Sequence, residues 1–140
     1  MPQFTRLHYF ELLTYIYLVQ KAESLVKGLG LHFQTSLLAA EDISGAMART
    51  IDVEVWMPSV GYKEVSSASN ARDYQARRGQ IRYKSKETGK NQLVHTLNAS
   101  GLATSRLIPA ILEQFQQEDG TVLVPEILQK WVPAVLHPVT

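Results

Sequence analysis

At 140 residues, 45% of them hydrophobic and 19% charged, the chain has the size and composition of one domain with a real core, which excludes extended disorder. Zero cysteines exclude a disulfide framework, thiolate chemistry and a cysteine-based zinc site. No apolar run is long enough to span a membrane and no leader pattern opens the chain, so we expect an intracellular protein, cytoplasmic or mitochondrial, with no membrane partner.

The first element is a helix over about Phe10 to Lys27. Leu12, Ile16, Val19, Val26 and Leu29 recur near the helical period, and Gly28 and Gly30 stop it. Leu31 to Ala39 is apolar and β-capable. Ile51, Val53 and Val55 alternate with Asp52, Glu54 and Trp56, a half-buried strand ended by Pro58, and Tyr62 to Ala68 returns as its antiparallel partner. Gln80 to Lys86 and Asn91 to Asn98 read as a second hairpin turning near Thr88, Gly89 and Lys90. Beyond Gly101 the period changes to helical, with Ile108, Ile111, Leu112 and Phe115 on one face and Pro109 inside, for about four turns. Pro125 opens a short closing helix through Trp131. No repeat or linker divides the chain. The fold class is α+β, a single domain over 1–140 with an antiparallel sheet of four to six strands flanked by helices on one side.

Net charge is +1, but Arg72 to Lys90 holds seven basic residues against two acidic ones. Such a segment is either a solvated face or a contact for RNA phosphates. Two other runs concentrate small polar residues around one charge, Glu64 to Asn70 and His95 to Arg106. Asn98, Ala99, Ser100 and Gly101 lead into a helix start, where free N–H groups and the dipole favour an anion. Arg106 in the first turns opposes that dipole. It either meets an anionic ligand through its bidentate fork or lies on the solvent face with Ser100 as a simple N-cap. On a regular strand Glu64 shares a face with Ser66 and opposes Ser67. A carboxylate near a hydroxyl suits a hard cation such as magnesium, or is merely one exposed glutamate. His8, His32, His95 and His137 show no metal-ligand spacing, and His95 reads as a structural, hydrogen-bonded histidine.

The run Val94 to Arg106, followed by Ala110 to Glu113 and Gln117 to Gly120, resembles motif 3 of the seryl-tRNA synthetase family and its C-terminal tail. Asp52 to Pro58, Glu64 to Asn70 and Asp73 to Arg78 resemble the segment before it, and the likeness runs from about Phe10 to Trp131. The resemblance implies part of a class II aminoacyl-tRNA synthetase catalytic core, from the end of motif 2 through motif 3. It implies ATP and Mg as cofactors and serine as substrate, with tRNA as a partner only if missing regions are supplied. By the same resemblance Glu64 and Ser67 hold the ATP-bound metal, with Val65 and Ser66 beside the nucleotide. Arg106 is the catalytic, phosphate-contacting arginine, and Ser100 lies at the serine substrate with Asn98 beside it. Motif 1, the tRNA-gripping arm and the first half of motif 2 have no counterpart here. Gln3 to Phe10 looks like the second strand of motif 2, with His8 where the family recognises serine through a glutamate. Glu41 and Ala99 stand where the family has glycines. The leading expectation is a C-terminal catalytic segment, incomplete alone, that works as a homodimer or with a partner chain. The rival is a non-catalytic synthetase paralogue acting as a binding or interaction module, and a weaker third is an RNA-binding fragment using the basic segment.

Overall fold

The computed structural model describes residues 3–138, with side chains described from Tyr9 onward. The order is helix α1 (Gln3–Gly28), strands β1 (Phe33–Leu37), β2 (Arg49–Met57) and β3 (Gly61–Arg72), helix α2 (Tyr74–Gly79), strands β4 (Arg82–Lys84), β5 (Asn91–Leu93) and β6 (Thr96–Asn98), helix α3 (Thr104–Gln114), and strands β7 (Val122–Leu123) and β8 (Val135–Leu136). A 3₁₀ turn over Glu126–Leu128 stands where a closing helix was expected.

The main sheet is four-stranded and antiparallel in the order β1-β2-β3-β6, with β4-β5 and β7-β8 as separate two-stranded ribbons. The expected second hairpin is therefore only partly formed. Asn91–Leu93 pairs with β4, but Thr96–Asn98 leaves the ribbon and pairs with β3 in the main sheet. The stretch read as one strand is two, with Val94 and His95 as the break.

Both long helices pack on one sheet face. Tyr15, Val19, Ala22 and Val26 of α1 are buried at alternating spacings of four and three, against Val53, Val55, Met57, Val65 and Ala68. α3 adds Ala110, with Leu107, Ile111 and Phe115 packed around it. Gly30, at φ +72, turns the chain out of α1 while its N–H bonds the Lys27 carbonyl at 2.9 Å. The helix begins at Gln3, so the opening Gln3 to Phe10 forms its first turns and not a strand. No glycine or proline interrupts it before Gly28, so the helical ladder runs through. The side chain of His8 lies outside the described residues. Among the described residues no helix is long and apolar enough to cross a membrane.

Candidate functional site

Opposite the helices, the second face of the sheet is polar. Pleat and register place Asp52 and Glu54 of β2, Glu64, Ser67 and Ser69 of β3, and Asn98 of β6 on it together. Two of these would not meet in a regular strand. Glu64 and Ser67 are three residues apart, which in strict alternation puts them on opposite faces. The register pairs Val53 with Ser66 and Glu54 with Glu64, leaving Val65 unmatched as a β-bulge. That extra residue turns Glu64 onto the face of Ser67 and sends Ser66 to the helix side, the reverse of the regular-strand expectation.

The same bulge seats α3. The Val65 carbonyl accepts the Ala103 N–H at 2.7 Å, and α3 starts at the next residue. Arg106 is the third residue of that helix. Its Nη1 donates to the Glu64 carbonyl at 2.8 Å and lies 3.3 Å from Glu64 Oε2. With the two side chains 48% and 39% exposed, this ion pair contributes at most about 1 kcal/mol and is readily exchanged for other partners. Leu102, just before the helix, holds φ +86. A left-handed leucine costs on the order of 1–3 kcal/mol, offset here by packing of its side chain against the core.

The other expected site residues divide. Asn98 is exposed on the polar face, opposite Ser69. Ser100 is exposed two residues further on, and its carbonyl accepts the Ser66 hydroxyl at 2.8 Å. It is not the helix cap, since Ala103 occupies that position. Val65 and Ser66 are fully buried, Val65 within the core, so neither side chain lines the polar face and only their backbone is available to a ligand. His95 is hydrogen-bonded, as expected: its Nδ1 lies 2.6 Å from Glu11 Oε2, while the Asn70 amide donates to the other Glu11 oxygen at 2.5 Å. A cavity of about 250 Å³ lined by Glu11, Tyr15, Arg49, Asn70 and Arg72 lies on the α1 side of the sheet, behind the polar face.

Asp52 was not singled out from sequence. It is only 7% exposed, and its Oδ1 has no hydrogen-bond partner among the described residues. Burial pushes its carboxyl above the ordinary aspartate value. The Ser67 hydroxyl works against that shift, Glu64 and Glu54 add to it, and Arg106 draws it back. Alternation in Ile51 to Val55 does assign Asp52 to the polar face, but nothing in that pattern signals burial there. Glu54 is held by the Gln34 amide at 2.7 Å and the Ser36 hydroxyl at 3.0 Å.

Among the described residues no three His, Cys, Asp or Glu side chains are grouped to hold a metal on their own. Glu64 and Ser67 offer two hard oxygens. That donor set fits a cation that keeps its waters and brings phosphate oxygens with it, as magnesium does.

The chain matches the tRNA synthetase class II core domain (G, H, P, S and T) over residues 12–115. It belongs to that family. It is 67% identical over 116 residues to serine–tRNA ligase 2 of Clostridium acetobutylicum, covering 82% of this chain and 27% of that protein. To serine–tRNA ligase of Leptospira biflexa it is 53% identical over 116 residues, 82% of this chain and 28% of the relative. In structure it is similar to seryl-tRNA synthetase from Pyrococcus horikoshii complexed with ATP, with TM-score 0.85 and 39% identity over 90% of this chain and 29% of that one. Cytoplasmic serine–tRNA ligase from Naegleria fowleri in complex with AMP gives TM-score 0.75 and 32% identity over 84% and 28%. The chain thus spans under a third of the relatives it matches, and its antiparallel sheet with helices on one face is part of the class II catalytic core.

Proposed function

We propose that this chain is the C-terminal part of a serine–tRNA ligase catalytic core, from the end of motif 2 through motif 3, contributing the binding of ATP and serine. The observation that carries the reading is the bulge at Val65. It puts Glu64 and Ser67 on one face and, through the Ala103 contact, brings Arg106 onto Glu64. The likeness to seryl enzymes, one of them an ATP complex, supports it.

In this reading the serine carboxylate attacks the α-phosphorus of ATP. An O–P bond forms, the bond to the β-phosphate oxygen breaks, and pyrophosphate leaves. A tRNA hydroxyl then takes the seryl group from the adenylate. Arg106 exchanges its bond to Glu64 for phosphate oxygens; the Glu64 and Ser67 oxygens would hold a magnesium ion, which would supply neutralisation of phosphate charge. Asn98 and Ser100 orient serine, and the backbone of Val65 and Ser66 borders the nucleotide. The chain supplies no nucleophile, only position and charge. tRNA binding needs the missing regions to be supplied, and the chain works as a homodimer or with a partner chain. The setting is the cytoplasm or the mitochondrion.

ATP–pyrophosphate exchange is the direct test, run on the chain alone and with the missing core segments supplied on a second chain. Serine-dependent exchange is expected once those segments are supplied and not from the chain alone, with Arg106→Ala lowering it by about 100-fold or more, the order found for loss of one charge-stabilising donor. ATP binding without serine-dependent exchange in either format would favour the non-catalytic paralogue.

A further inference from the structure

We propose that Asp52 is a positioning residue that holds the Ser67 hydroxyl toward the cation accompanying ATP, an inference that rests on the ATP-site reading above. Asp52 stands directly opposite Ser67 in the β2–β3 register, on the polar face and beside Glu54 and Glu64. Each neighbouring carboxylate has a partner: Glu64 has Arg106, and Glu54 has Gln34 and Ser36. Asp52 has no such cation or amide, is nine-tenths buried, and keeps one oxygen orphaned and shut off from solvent. An unpaired buried carboxyl carries a desolvation penalty, and the group that faces it across the strand pair is the Ser67 hydroxyl.

Its burial also decides the manner of use. Oδ1 is closed in, so Asp52 is not itself placed to coordinate an ion arriving from the open side. Ser67, its partner on the neighbouring strand, is the less buried of the two, and its hydroxyl hydrogen-bonds the Asp52 carboxyl. A neutral hydroxyl is a weak and freely rotating ligand. When its proton is donated to a carboxylate behind it, the lone pairs are turned outward and the oxygen becomes more electron-rich, the relation by which outer partners orient and strengthen metal ligands. Asp52 therefore acts through Ser67.

The test compares binding of Mn²⁺·ATP with that of metal-free ATP to the full chain, by calorimetry and by Mn²⁺ electron paramagnetic resonance, for the unsubstituted protein, Asp52→Asn, Ser67→Ala and the double variant. Each single substitution is expected to weaken Mn²⁺·ATP binding by about tenfold, the low end for loss of an outer partner, and to leave metal-free ATP unchanged. The double variant is expected to bind no more weakly than Ser67→Ala alone. Asp52→Ser, which leaves a small hydroxyl in the buried position, is expected to repeat the loss and serves if the asparagine variant does not fold. Equal weakening with and without metal, or losses that multiply in the double variant, would overturn the inference while leaving the ATP site standing. No ATP binding by the unsubstituted chain in either form would overturn the ATP-site reading and this inference with it.

Discussion

Tyr15 shows how one side chain ties α1 to the sheet. It is buried to within 1% of full exclusion, and its hydroxyl donates to the Ala68 carbonyl at 2.9 Å, which is what permits a phenol in that interface. Burial raises its pKa, with the Arg49 guanidinium as the main opposing influence. Tyr15→Phe keeps the ring and removes the bond, and is expected to lower stability by about 1 kcal/mol in urea unfolding. A second tie joins the β2–β3 turn to α3, where Glu113 accepts the Ser59 hydroxyl at 2.7 Å and the Ser59 N–H at 2.9 Å. Those bonds hold the Glu113 carboxyl below the ordinary glutamate value, the hydroxyl contributing most. With the folded-state pKa depressed, the stabilisation is fully present above the unfolded-state value and disappears as pH falls through the folded one. Ser59→Ala is expected to return the Glu113 titration, followed by carboxyl NMR, toward the ordinary glutamate range. An unchanged titration would sever that link.

Among the elements, α3 carries the clearest internal conflict. Pro109 sits at its sixth position, where it cannot donate to the Ser105 carbonyl and its ring crowds that turn. Pro109→Ala is expected to raise stability by about 1–3 kcal/mol in chemical unfolding while leaving the Arg106 end of the helix in place. The helices and the central strand pair were legible in the sequence, because their periods are strong, but the faces were less so. In α1 the buried stripe is Tyr15, Val19, Ala22 and Val26, while Leu12 and Ile16 are exposed; in α3 it includes Leu107, and Ile108 and Leu112 face outward. Where apolar residues surround a helix, period alone leaves its rotation open, and the contacts that fix it are long-range. β6 was hidden for a similar reason. Thr96 to Asn98 has the same local character whether it pairs with β4 or with β3, and only the tertiary neighbour decides. Of the site, the two polar runs were visible as compositions. Their shared face was not, since it depends on a bulge, and neither was the burial of Asp52.

At the scale of the molecule, α1 leaves a broad apolar surface: Tyr9, Phe10, Leu13 and Tyr17 are all well exposed and neighbour one another at helical spacing. A patch of this kind on a small domain favours association. Sedimentation velocity is expected to show self-association that strengthens with protein concentration and weakens in Leu13→Lys and Tyr17→Lys. A monomer at every concentration would show that the patch is tolerated in water. The bulge at Val65 has a consequence of another kind, for how this segment can vary. Glu64 and Ser67 share a face although an odd number of steps separates them along a strand that ordinarily repeats every two residues, and the uncounted Val65 supplies the missing step. Substitution at Val65 by another apolar residue preserves that arithmetic. Insertion or deletion of a single residue between Asp52 and Ser67 does not, wherever in the hairpin it shifts the register, because it exchanges the wet and dry faces of everything on one side of it. The segment can therefore drift in composition while its length stays locked.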